Sequence, residues 1–80
     1  MMKTITIYGT GCARCKQTEN VVRRIVTEVG ANVVITKVEN MQAIVEAGIM
    51  ATPAVAVDDA ILLSGRIPRM EEVRLWLAQP

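Results

Sequence analysis

The chain contains no histidine and no phenylalanine, and its only aromatic residues are Tyr8 and Trp76. A structural zinc site takes four Cys or His ligands, so two cysteines and no histidine serve it poorly, and no resident metal or cofactor is expected. A net charge of +1, with no basic stripe and no aromatic stacking platform, argues against nucleic acid as a partner. No apolar run approaches the length of a membrane span, so no membrane partner is expected either. Met1-Met2-Lys3 leads straight into a strand pattern rather than into the apolar region of a signal peptide. These features point to the cytoplasm, where a disulfide is transient and catalytic rather than structural. Eighty residues make one domain, 1–80, near the small end of what folds without staples. A hydrophobic content of 51% compensates for that size, and a monomer is expected.

What the chain does have is Gly9-Thr10-Gly11-Cys12-Ala13-Arg14-Cys15, set between a strand pattern and a long helical pattern. Two thiols three positions apart at the start of a helix face each other across one turn. That spacing lets one sulfur attack a partner's disulfide and the other resolve the mixed disulfide. Cys12 falls at the helix cap, where backbone N–H groups lack partners and the dipole favours negative charge. Its pKa is therefore expected below the free-thiol value of about 8.5. Arg14 and Lys16 in the first turn add positive potential. Cys15, one turn in and on the apolar side, is expected to be the buried partner of higher pKa. As a structural disulfide the pair would constrain little of the unfolded chain, because so few residues lie between the cysteines. Two inert core thiols or a two-thiolate Cu(I) site are the other readings of the pair.

Along the chain, Lys3 to Tyr8 alternates polar and apolar residues and reads as a first strand. Gly9 and Gly11 permit a tight turn with close backbone approach to whatever docks at Cys12. Ala13 to Val29 reads as a helix with its apolar stripe at Val22, Ile25, Val26 and Val29, its polar side at Glu19, Arg23, Arg24 and Glu28, and Gly30 as its stop. A second strand spans Asn32 to Val38. Asn40 caps a second helix, Met41 to Ala47, with Met41, Ile44 and Val45 inward and Gly48 ending it. Ala54 to Val57, a continuous small apolar run, suggests a strand buried on both faces. Asp58-Asp59 makes a two-residue hairpin turn into a fourth strand, Ala60 to Ser64. Pro68 suits the first position of a last helix whose buried stripe is Met70, Val73, Trp76 and Leu77, with Glu71 and Glu72 in its first turn.

A short strand, CxxC opening a long helix, and a later Thr52-Pro53 entering a strand together resemble the thioredoxin superfamily. More closely, the chain is similar to its small glutaredoxin-like branch, the redox-active disulfide protein 2 or thioredoxin-like 3 domain. The similarity runs through GTGCARC, GIMATPA, VDDAILLSGR and the closing helix. It implies an α/β thioredoxin-like fold, βαβαββα, with a four-stranded mixed sheet in the order 2-1-3-4. The first and last helices would then lie on one face and the middle helix on the other. It also implies a cis bond at Thr52-Pro53 beside the active site, with the Thr52 backbone pairing with an extended substrate and Pro53 held against the two sulfurs. Departures from the wider superfamily are Ala13-Arg14 between the cysteines, Gly11 where thioredoxins carry a tryptophan, and no evident counterpart of their buried carboxylate.

The leading reading is a thiol–disulfide oxidoreductase with Cys12 as nucleophile and Cys15 as resolving thiol, and with Gly11, Thr52 and Pro53 contacting substrate. Its partners would be a disulfide-containing protein or small thiol as substrate and a reductase as electron donor. Two alternatives remain at this level. One is a Cu(I)-type metal-binding module, since GTGCARC superficially resembles the MTCxxC loop of copper chaperones; the other is a non-catalytic interaction domain of the same fold. Tyr8 and Trp76 read as packed residues, Met41, Met50 and Met70 as core fillers, and Arg66 and Arg69 as solvated surface.

Overall fold

The computed structural model describes residues 3–78; the terminal residues of the expected 1–80 domain, including the Met1-Met2 lead into the first strand, lie outside the described residues. The elements run β1 (Lys3–Tyr8), α1 (Ala13–Val29), β2 (Val33–Val38), α2 (Met41–Glu46), β3 (Ala54–Val57), β4 (Ala60–Ser64) and α3 (Met70–Ala78). The sheet has the order β2-β1-β3-β4. β1 pairs parallel with β2, while β3 pairs antiparallel with both β1 and β4. This is the thioredoxin-like architecture the resemblance implied.

Side chains alternate along a strand, so in β1 and β3 parity assigns each residue to a face, while a register shift between β3 and β4 interrupts the alternation in β4. Ile5 and Ile7 of β1 and Val55 of β3 join Val22 and Ile25 of α1, Val73 of α3 and Leu63 of β4 in the larger core cluster. Tyr8 and Ala54, one residue out of phase, face the smaller cluster around Ile44 and Ile49, with Val38 beside them. α1 and α3 therefore cover one face and α2 the other. Ala54, Val55 and Ala56 are all buried, as expected of a strand covered on both sides. Both turn residues of the β3–β4 hairpin have positive φ, 49° at Asp58 and 72° at Asp59, the geometry of a type I′ turn. Asp58 also ties the hairpin to β1, its Oδ1 accepting the Thr4 N–H at 2.9 Å.

The buried stripe of α1 is Cys15, Thr18, Val22 and Ile25. Val29, expected in that stripe, is 46% exposed. It belongs to the last turn of α1, which Gly30 closes with φ 66°. Thr18 is fully buried, and its hydroxyl donates to the Arg14 carbonyl one turn back at 2.9 Å, which satisfies it inside the core.

The remaining differences sit at element edges. β2 starts at Val33 rather than Asn32. α2 is capped by Asn40, whose Oδ1 accepts from the N–H groups of Gln42 and Ala43, but it stops at Glu46 with Ala47 as its C-cap. So short a helix offers the sheet one residue, Ile44; Met41 and Val45, expected inward, are exposed. The methionines at 41, 50 and 70 are not core fillers, being 59%, 99% and 37% exposed. For α3, Pro68 stands two residues before the helix and not at its first position. Arg69 takes the cap position, its carbonyl accepting from Glu72 and Val73 N–H. The Glu72 carboxylate reaches back to the Arg69 N–H at 2.9 Å, the carboxylate half of a capping box.

Candidate active site

The site begins where β1 runs out. After Tyr8 the Gly9 N–H donates to the Val38 carbonyl at the end of β2, so the loop leaves the sheet still anchored to it. Gly9 is glycine for lack of room: a Cβ there would run into the Cys15 sulfur and lie 2.9 Å from the Cys15 Cβ. The sequence suggested instead that Gly9 and Gly11 serve the turn together. Gly11 does serve it, with φ 86° and open space where a side chain would be.

Cys12 is the N-cap of α1, in extended conformation, and its carbonyl accepts the Lys16 N–H at 3.0 Å. Its sulfur accepts the Cys15 N–H at 3.4 Å and lies 2.8 Å from the Cys15 sulfur. Both cysteines are free thiols, Cys12 exposed and Cys15 buried. The hydrogen bond from the Cys15 thiol, and then the Cys15 backbone N–H, hold the Cys12 pKa below that of an ordinary thiol. For Cys15, burial comes first and the adjacent Cys12 sulfur second, and together they push its pKa up. One proton is thus held on Cys15 while negative charge settles on the sulfur that solvent reaches.

Arg14 contributes less to that field than its position in the sequence suggested. Its guanidinium is turned to the Gly65 carbonyl, 3.0 Å away, beyond the end of β4. Gly65 in turn donates its N–H to the Pro53 carbonyl at 2.8 Å. Thr52-Pro53 is a cis peptide, as the resemblance implied, and Pro53 is fully buried where the chain enters β3. Gly65 adopts φ 84°, and a side chain there would crowd the Ala51 methyl at 3.3 Å. Among the described residues, nothing takes the Thr52 backbone N–H or carbonyl in a hydrogen bond.

Behind Cys15 lies a small cleft with Glu19, Lys37 and Glu39 on its wall. The sequence placed Glu19 on the polar side of α1, yet it follows Cys15 by four residues and so shares its flank of the helix. Its carboxylate bonds Arg23 Nε at 2.8 Å and Lys37 Nζ at 3.2 Å. Those two partners, Arg23 first, hold its pKa below the carboxylate norm, so Glu19 stays ionised beside the thiol. The i, i+4 spacing from Cys15 was the signal available for it. Lys37 comes from a different element and carried no such signal. No grouping of three or more potential metal ligands of the Cys, Asp, Glu or His type occurs among the described residues. None of the described helices is long and apolar enough to cross a membrane.

A family model described as a thioredoxin domain matches residues 3–78. A thioredoxin of Methanothermobacter thermautotrophicus is 43% identical over 78 residues, which cover 98% of this chain and 100% of that one. A thioredoxin of Methanocaldococcus jannaschii is 42% identical over 74 residues, covering 92% and 85%. Among solved structures, one of thioredoxin-2, described as a component of malaria parasite protein secretion machinery, superposes with a TM-score of 0.72. It covers 94% of this chain and 80% of that one at 10% identity, a likeness of fold alone. With a CxxC pair at the helix cap, the sheet order described above and relatives matched over nearly their whole length, the chain belongs to the thioredoxin family and is, in general terms, a thiol–disulfide oxidoreductase.

Proposed function

We propose that the chain acts as a reductant of disulfides, with Cys12 as the attacking thiolate and Cys15 as the resolving thiol. The observation that carries this reading is the asymmetry of the pair: the two sulfurs are 2.8 Å apart, one exposed with its pKa lowered and one buried with its pKa raised. The Cys12 thiolate attacks a substrate disulfide, forming a Cys12–substrate disulfide and expelling one substrate thiolate. Cys15 then gives up its proton and attacks the Cys12 sulfur. The mixed bond breaks, the second substrate thiolate leaves, and the Cys12–Cys15 disulfide remains. Two electrons pass to the substrate, and of the two protons its thiols take up, one comes from Cys15 and the other from solvent.

Thr52, Pro53 and Gly11 form the substrate contact. An extended polypeptide lies along the Ala51–Pro53 segment and pairs with the Thr52 backbone, which has no other hydrogen-bond partner among the described residues. Gly11, exposed and without a side chain, leaves the approach to Cys12 open. The chain works as a single monomeric domain in the cytoplasm on protein or small-thiol disulfides, and a reductase restores the dithiol. Two variants test the assignment. Cys12→Ser should abolish reduction of a protein disulfide such as insulin. Cys15→Ser should accumulate a mixed disulfide through Cys12, seen by mass under non-reducing conditions. Trapping through position 15 in the Cys12→Ser protein, or stoichiometric Cu(I) binding by a wild type without turnover, contradicts this reading.

A further inference from the structure

We infer that Arg14 is a positioning residue for polypeptide substrates, tying the helix that carries Cys12 to the backbone segment on which such a substrate pairs. The inference rests on the reading above that substrate pairs with Thr52. Two hydrogen bonds form a continuous strut. The Arg14 guanidinium donates to the Gly65 carbonyl at 3.0 Å, and the Gly65 N–H donates to the Pro53 carbonyl at 2.8 Å. Gly65 also has little room to spare beside Ala51, since an added Cβ would stand 3.3 Å from the Ala51 methyl. One residue between the two cysteines is thereby linked to Pro53, the residue that follows Thr52.

The geometry needs this particular residue type. The Gly65 carbonyl lies just past the edge strand β4, and among the described residues no backbone N–H donates to it. Reaching it from the first turn of α1 takes a long side chain ending in a donor. A planar guanidinium makes a directed, charge-assisted bond and keeps its remaining N–H groups for solvent. Among the described residues, no other hydrogen-bond path of this kind joins the Ala51–Pro53 segment to the start of α1. An attacking sulfur must be held close to its target, and small displacements of a positioning element are costly in rate. A small disulfide that touches Cys12 alone does not depend on this spacing; an extended chain that must pair with Thr52 and present its disulfide to Cys12 at once does.

The test is a kinetic cycle on the full chain, with wild type, Arg14→Ala and Arg14→Lys. The substrates are two synthetic disulfide peptides that differ only in N-methylation of the backbone amide next to the cysteine. In the wild type, N-methylation should raise KM about fivefold, the equivalent of ~1 kcal/mol for one lost hydrogen bond. In Arg14→Ala that ratio should fall towards one, because the pairing edge is no longer in register with Cys12. Arg14→Lys, which keeps the charge and a donor on a long stem, should recover part of the ratio. Were the same fivefold ratio to persist in Arg14→Ala, pairing with Thr52 would stand and the role of Arg14 would fall. Were N-methylation to leave the wild-type KM unchanged, the Thr52 pairing itself would be wrong, and the strut with it. A lower rate with both peptides at an unchanged ratio would mark Arg14 as an electrostatic neighbour of Cys12 and nothing more.

Discussion

At the scale of single residues, the two sulfurs differ only in what surrounds them. Cys12 sits where the helix offers N–H groups, and Cys15 where the core removes water. Alkylation of the reduced protein followed across pH should therefore label Cys12 first, with a midpoint below the free-thiol value of about 8.5. Cys15 should react only at higher pH, since burial raises its pKa. Equal labelling of both would remove the basis for calling one the nucleophile. Gly9 is the other residue on which the site depends, because its missing side chain is the space the Cys15 sulfur fills. Gly9→Ala should cost roughly 1–3 kcal/mol in urea unfolding, the usual penalty for overpacking a tight site. It should also slow resolution of the mixed disulfide by displacing Cys15. A variant as stable as the wild type would mean that the thiol has somewhere else to go.

Among the elements, the helix starts show how side chains replace missing backbone partners. α1 uses a sulfur, α2 an asparagine and α3 a glutamate reaching back from its first turn. Glu72 also takes both arms of the Arg66 guanidinium at 2.7 Å. These bonds, Arg66 first and the Arg69 N–H second, hold its pKa at about 2 rather than 4.5. A carboxylate whose pKa is lowered by folding stabilises the fold fully above its unfolded value, and the contribution is lost as pH falls through the folded one. The window here runs from about 4.5 down to about 2. Glu72→Gln should therefore lower the thermal midpoint at pH 7, and its curve should converge on that of the wild type towards pH 2. Parallel curves over that range would show that the carboxylate adds nothing to the start of α3. Because the group is exposed, added salt should narrow the difference at neutral pH.

For the molecule as a whole, stability depends on the larger of the two clusters, where α1 and α3 meet the sheet. Ile25 is fully buried there, and Ile25→Ala should cost about 2–5 kcal/mol, a shift in melting temperature on the order of 10–30 °C for a chain of this size. Val29, on the same helix but 46% exposed, provides the contrast: Val29→Ala should change stability by no more than about 0.5 kcal/mol. Differential scanning calorimetry of the two variants reads both values. Similar losses would mean that α1 is held along its full length rather than only as far as the turn of Ile25.

Local chemistry was legible in the chain before any coordinates. A thiol at a helix cap, an asparagine before α2, two aspartates between β3 and β4 and an apolar run at Ala54–Val57 each settle their own few residues, because caps, turns and doubly buried strands are short-range solutions. The order of the strands was implied by the family resemblance that CxxC, Thr52-Pro53 and the sequence of elements carry together, and by no single pattern. Three things belonged to tertiary structure alone. How much of an amphipathic helix is covered depends on what the rest of the chain packs against it, and Val29, Met41 and Val45 are exposed despite their spacing. Glu19 shared the flank of Cys15 by spacing, but its partner Lys37 arrives from β2, a strand whose register against β1 no local pattern specifies. And Arg14 meets Gly65 across 51 positions of chain, a contact that exists only because β4 and the start of α1 are brought to the same end of the sheet.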